Sequence, residues 1–137
     1  RLLADFGADV VKIEVPEGDP VRSFGKRDQG KSLYASSIFR NKQMASINLR
    51  EARGRDLIRG LVGKFDVLIE NFKPGTMEKW GLGPERFEAE HPALIYTRIS
   101  GYGQTGPHAS RPGYASACEG FGGNYVCNTD GTAITHL

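Results

Sequence analysis

Cysteine is scarce in this chain: among 137 residues only Cys118 and Cys127 occur, nine positions apart. That spacing matches no zinc-ligand pattern, and the count is too small for a disulfide framework. Two small buried apolar side chains in a reducing compartment, the cytoplasm, are the expectation. Histidine is equally thin. His91, His108 and His136 stand alone, outside any paired-ligand spacing, and surface or loop positions are expected for all three. No apolar run approaches the roughly 18 residues that cross a bilayer, which argues against a membrane span. Neither a G-x-S-x-G elbow nor a Walker loop is present, so hydrolase and P-loop chemistry lack support. An excess of one charge is missing too, the net charge being +2. A nucleic-acid binder would need a clustered basic face with base-reading motifs. There is no initiator methionine: the chain opens at Arg1-Leu2-Leu3-Ala4-Asp5 with no signal peptide in view and stops at Leu137. An internal piece of a longer protein is therefore expected.

What charge there is lies unevenly. Up to residue 80 there are 15 Lys/Arg against 11 Asp/Glu, and after it 3 against 5. A mildly basic first part is compatible with a phosphorylated ligand and equally with a solvated mixed surface.

Leu2 to Phe6 reads as the last turn of a helix, with Gly7 just after it. Asp9 to Val15 is rich in β-branched residues and runs into Pro16-Glu17-Gly18-Asp19-Pro20, a buried strand followed by a turn. A short helix is predicted near 33–39 and a brief strand over Ala45 to Leu49. From Glu51 to Lys64 the apolar Leu57, Ile58, Leu61 and Val62 recur at helical spacing. Phe65 to Glu70 is the next strand. Short helices are expected over Thr76 to Trp80 and Pro84 to Glu90, the second with proline in its first turn. Ala93 to Ser100 is another buried strand, opening into a Gly/Pro loop that reaches Gly113. A last helix is placed from near Tyr114 to a break at Gly122-Gly123. Helices alternating with near-continuous apolar strands predict an α/β fold, a parallel sheet covered on both faces.

Ligands of an open parallel sheet bind beyond the carboxyl ends of its strands. Three strands end in loops of distinctive chemistry: Pro16 to Pro20, Asn71 to Gly75 and Gly101 to Gly113. Asn71 offers an amide, Phe72 an aromatic face, and Lys73 and Lys79 a charge that phosphate accepts. The set suits a nucleotide, and equally a structural pair in which Asn71 caps the turn and Phe72 packs inward. Gly101-x-Gly103-x-x-Gly106 spells the dinucleotide fingerprint, but Pro107, Pro112 and Gly113 follow where the phosphate-binding helix must begin. NAD binding at this loop is rejected.

Four segments, LLADFGADVVKIEVPEGDP, FRNKQMASINLREARGRDLI, DVLIENFKPGTMEKWGLG and ISGYGQTGPHASRPGY, follow one another in this order. They resemble successive signature segments of the family III CoA-transferases, the group of formyl-CoA transferase, the carnitine CoA-transferase type and the acyl-CoA racemase type. The resemblance covers Leu2 to about Gly123. It implies part of a Rossmann-like large domain with helices on both faces of the sheet, from an interlocked homodimer. Coenzyme A is then a substrate rather than a resident cofactor, and the partners are an acyl-CoA and a small carboxylic acid.

On the same resemblance Asn71 and Phe72 meet the nucleotide portion of coenzyme A, Ile47 makes an apolar contact and Lys79 meets the phosphates. The position just after the first strand, basic in many relatives, is Val15 here, with Arg22 or Arg111 as substitutes. The implied nucleophile is an aspartate a few residues beyond Leu137. It forms an aspartyl anhydride and then an aspartyl-CoA thioester. No catalytic residue is assigned within the chain, which alone is expected to be inactive; Asp130, in the turn Asn128-Thr129-Asp130-Gly131, is read as structural. Racemase members carry a histidine where this sequence has Tyr114, which favours transfer over racemisation. Ala115, at a position usually acidic in the family, points to a subgroup that uses dicarboxylic acids. A non-catalytic CoA-binding or dimerisation module is the remaining alternative.

Overall fold

A computed structural model describes residues 1–122, Ser116 without its side chain, and the backbone of 126–127 and 133–134. Gly123, the Asn128 to Gly131 turn and His136 lie outside the described residues. The chain divides into two compact units, residues 1–58 and 59–137.

The first unit opens with α1 (Leu2–Asp5), which ends through Gly7 at φ +97°, a left-handed value that glycine reaches without a Cβ penalty. β1 (Val10–Glu14) follows, then a 3-10 turn over Pro20–Ser23 capped by Asp19, whose carboxylate accepts from the Val21 N–H at 2.9 Å. β2 (Arg27–Asp28) and β3 (Lys31–Ser32) form a small antiparallel hairpin. Its two turn residues, Gln29 and Gly30, both have positive φ, the twist that two-residue hairpin turns require. The Ser32 hydroxyl then caps α2 (Leu33–Phe39) by accepting from the Ala35 N–H at 3.0 Å.

β4 (Lys42–Ser46) runs parallel to β1, pairing Val10 with Lys42 through Glu14 with Ser46. The strand expected at Ala45 to Leu49 therefore lies three residues earlier. Asn41 turns the chain at φ +59° and pairing begins at once, so Lys42 and Gln43 enter the strand despite their polarity. Ile47, Asn48 and Leu49 fall beyond its carboxyl end.

α3 (Ala52–Val62) comes next in the chain. In the second unit β5 (Val67–Glu70) leads to the short helices α4 (Thr76–Lys79) and α5 (Pro84–Glu90). β6 (Ile95–Arg98) then pairs parallel to β5, Val67 with Ile95 through Glu70 with Arg98. α6 (Ala115–Phe121) follows the Gly/Pro loop, and β7 (Val126–Cys127) pairs antiparallel with β8 (Ala133–Ile134).

The core of this unit is Val62, Met77, Leu82 and Phe87, the last two fully enclosed. Phe87 lies between the rings of Tyr96 and His91, with centroids 6.2 and 6.5 Å away, and burying such a side chain stabilises by about 1.5–3 kcal/mol.

The architecture is α/β, as expected, but the parallel strands form two two-stranded sheets, one in each unit. Burial on both faces, expected for these strands, is not what they show. Val67, Ile69 and Ile95 are exposed, while Glu70 at the strand end is buried. No helix among the described residues is long and apolar enough to cross a membrane.

Candidate functional site

β5 and β6 are parallel, so the Asn71 and Gly101 loops both leave their carboxyl end. What holds the first of these loops is a carboxylate. Glu70, the last residue of β5 and buried, accepts from the Phe72 N–H at 2.6 Å through Oε2. Its other oxygen, Oε1, accepts from Arg98 Nε at 2.8 Å. Arg98 is the register partner of Glu70 on β6, and its Nη1 reaches Glu78 Oε1 in α4 at 2.6 Å. The Arg98 guanidinium holds the Glu78 carboxyl below its ordinary pKa, and in return Glu78, followed by Glu70, raises that of Arg98. One cation thus joins β5, β6 and the helix that carries Lys79.

Phe72, held at its N–H by the clamp, meets Trp80 edge-on with centroids 5.2 Å apart, and the residue is still 37% exposed. Phe72 is therefore neither a core residue nor a free one: it is a propped aromatic face. Asn71 is exposed and makes no side-chain hydrogen bond within the described residues, so it does not cap the turn. Gly75, at φ +83°, stands at the start of α4 instead. Lys79 is exposed one position after Glu78, with its ammonium unpaired among the described residues. Arg111 is exposed at the end of the Gly/Pro loop, its N–H donating to the His108 carbonyl at 2.9 Å. The sequence-predicted Asn71, Phe72, Lys79 and Arg111 thus belong to one unit, the first three to one clamped segment.

The Gly/Pro loop is closed at its neck. A Cβ on Gly101 would overlap the Gly113 Cα, and a Cβ on Gly113 the Gly101 Cα. Cys118 Sγ lies against both glycines and donates weakly to the Gly101 carbonyl at 3.5 Å. Half-buried there, Cys118 is less enclosed than the expected core position. No helix starts after Gly106 until α6, in keeping with the rejection of a dinucleotide fingerprint. Tyr114, at the N-cap of α6, is 80% exposed. His108 stands among aromatic edges, 5.9 Å from Tyr102 and 5.7 Å from Phe121.

Ile47 belongs to the first unit. Its N–H donates to the Glu14 carbonyl at 2.9 Å, continuing the β1–β4 pairing by one step. Its side chain lines an open depression of about 460 Å³ with Asn48, Glu51, Arg53 and Leu57. Val15 is exposed just past β1. Arg22, one substitute for a cation there, is engaged with Glu14 at 2.7 and 3.1 Å and with the Phe39 ring, so the exposed Arg111 is the freer of the two.

Sequence reasoning missed Glu70, Arg98 and Glu78. The signal was available in β5 and β6: VLIE and IYTR are apolar or aromatic strands that each end on a charge, of opposite sign.

A parallel strand pair with helices following each strand defines an α/β class of protein, and its exit loops present an aromatic face, an amide and cations where such folds place their ligands. The comparisons narrow it. The family model described as CoA-transferase family III matches residues 1–133. The chain belongs to CoA-transferase family III.

A succinyl-CoA–D-citramalate CoA-transferase of Chloroflexus aurantiacus is 47% identical over 125 residues, 90% of this chain and 31% of that protein. The human succinyl-CoA:glutarate CoA-transferase is 41% identical over 124 residues, 87% of this chain and 28% of that protein. Among solved structures, a CAIB/BAIF family protein from Brucella suis is 44% identical with a TM-score of 0.81, covering 88% of this chain and 33% of that one. A hypothetical protein from Mycobacterium tuberculosis is 33% identical with a TM-score of 0.87, covering 98% and 39%. The chain therefore spans about a third of the length of the curated relatives it matches.

Proposed function

We propose that the chain is the coenzyme A-binding part of a Rossmann-like large domain in a family III CoA-transferase. The protein moves coenzyme A from an acyl-CoA to a small carboxylic acid. The observation that carries the reading is the family match over residues 1–133, with relatives named CoA-transferases. Those names make succinyl-CoA the donor to test first and dicarboxylic acids, citramalate, malate and glutarate among them, the acceptors.

In this reading Asn71 hydrogen-bonds the nucleotide portion of coenzyme A, Phe72 gives it an aromatic face, and Lys79 and Arg111 meet its phosphates. Ile47 supplies an apolar contact. The exposure of Phe72, Lys79 and Arg111 is compatible with these roles.

The nucleophile in this proposal is the aspartate that the family resemblance places a few residues beyond Leu137. Attack on the thioester carbonyl expels the thiolate and leaves a mixed anhydride. The thiolate returns to give an aspartyl-CoA thioester, releasing the donor's acid, and the acceptor acid collects coenzyme A in the reverse order. An interlocked homodimer in the cytoplasm, with no permanently bound cofactor, belongs to the same proposal.

The test is CoA transfer by the full-length protein from succinyl-CoA to a panel of dicarboxylic acids, with hydroxylamine added to trap an acyl-aspartyl group. Transfer with hydroxylamine-sensitive inactivation is expected. Proton exchange α to the thioester without transfer would establish the racemase alternative instead, and neither activity would leave a CoA-binding module.

A further inference from the structure

Beneath the loop that carries Asn71 and Phe72 lies an ionic clamp that neither the strand-end chemistry nor the family match assigns a task. We propose that Glu70 and Arg98 are positioning residues for coenzyme A: they set the backbone of the Asn71-Phe72 segment and tie it to the helix carrying Lys79. This rests on the reading that Asn71 and Phe72 meet the nucleotide.

The geometry is specific. Each Glu70 oxygen has one partner, the Phe72 N–H at 2.6 Å and Arg98 Nε at 2.8 Å. The Glu70 side chain is 3% exposed and that of Arg98 15%, so water competes little for either. Arg98 spends its remaining donors on Glu78, Nη1 to Oε1 at 2.6 Å and Nη2 to Oε2 at 3.2 Å. Asn71 and Phe72 are exposed and Lys79 has no partner among the described residues, so beside the clamp it is the edge-on contact of Phe72 with Trp80 that fixes their spacing. A residue that ends a strand with a buried charge costs desolvation. Here that charge is spent on a backbone N–H just past the strand, where a pleated ladder has no acceptor to offer. Holding binding groups in place before the ligand arrives lowers the ordering cost of binding.

The test measures free coenzyme A binding to the full-length protein by calorimetry, with the single tryptophan of this chain, Trp80, replaced by phenylalanine in one control to check the Phe72 contact. Glu70→Ala is expected to weaken coenzyme A about tenfold. Glu70→Gln keeps one oxygen for the Phe72 N–H but sets its NH2 donor against Arg98 Nε–H, and is expected to restore only part of the affinity. Removing one partner of a buried pair can prevent folding, so the double variant Glu70→Leu/Arg98→Met replaces both charges with apolar groups that fill the site. It is expected to fold with wild-type melting behaviour and still bind coenzyme A about tenfold more weakly. Wild-type affinity in that folded double variant overturns the proposal. Phe72→Ala separates the two readings: if it leaves coenzyme A affinity unchanged, the assignment of the loop to the nucleotide fails. If Phe72→Ala weakens binding while the double variant does not, only the positioning role fails.

Discussion

Asp5 is the most heavily partnered carboxylate of the first unit. Arg40 donates to both its oxygens at 2.6 and 3.0 Å, Asn41 adds a third hydrogen bond at 3.1 Å, and Arg1 approaches at 3.4 Å. The Arg40 hydrogen bonds hold its carboxyl well down, from an ordinary 3.8 to about 2. A carboxyl depressed in the folded state contributes stability that is fully present above its unfolded value and lost as pH falls through its folded value. Acid unfolding of the wild type is therefore expected to include a component between 3.8 and about 2, and Asp5→Asn to flatten stability across that window. Urea midpoints measured at intervals down to the acid limit decide this. An Asp5→Asn profile parallel to the wild type throughout would contradict it. Glu14 is lowered in the same direction by Arg22, so an Asp5 variant will retain some acid sensitivity. Both effects depend on partners, 35 and 8 residues away in the chain, that folding alone brings together.

At the level of elements, the neck of the Gly/Pro loop is where a single methyl should matter most. Gly101 and Gly113 approach so closely that a Cβ on either meets the other's Cα, with Cys118 packed beside them. Gly101→Ala is expected to cost about 1–3 kcal/mol, the usual penalty for overpacking, and to speed proteolysis between 102 and 112. Phe87→Ala, which empties the enclosed site between His91 and Tyr96, is expected to cost about 3–5 kcal/mol in chemical denaturation. A cost below about 1 kcal/mol would mean that the second unit does not depend on that core.

The helices were the most legible elements, because their end signals are local. Pro84 at a first turn and Gly7 past a last one were each read without a partner strand, and Ser32, which caps α2, is a signal of the same local kind. β4 was misplaced by three residues because Lys42 and Gln43 carry no strand signature, and only pairing with Val10 and Val11 makes them one. The β2–β3 hairpin was passed over for the same reason, its strands being two residues each. In the site, Asn71, Phe72 and Lys79 were legible as chemistry. Their support was not, since Glu70 and Arg98 lie 28 residues apart and each alone looks like an ordinary strand end.

At the scale of the whole molecule, charge is the property that a coenzyme A-binding reading must use. The net charge of +2 is small, and the excess of cations lies in residues 1–80. Many of those cations are already spent: Lys12 on Asp19, Arg22 on Glu14 and Arg40 on Asp5. Attraction for a phosphorylated ligand therefore falls to cations left exposed at or just after the strand-end loops, Lys73, Lys79 and Arg111 in the second unit, of which the family resemblance favours the last two. Each acts in high dielectric, where a charge pair is worth about 0.2–1 kcal/mol. Lys79→Gln and Arg111→Gln are accordingly expected to weaken coenzyme A binding about two- to fivefold each, with the melting temperature unchanged. Salt gives the sharper readout. Screening over about 10 Å at 0.1 M ionic strength removes attraction between exposed charges and leaves buried pairs largely intact. Raising the salt should therefore weaken coenzyme A binding to the wild type more than to a variant carrying Lys79→Gln and Arg111→Gln together, because that variant has lost the exposed charges that salt screens. Equal salt dependence in the two would place the phosphates against other cations, with Arg53 beside the Ile47 depression the next to test.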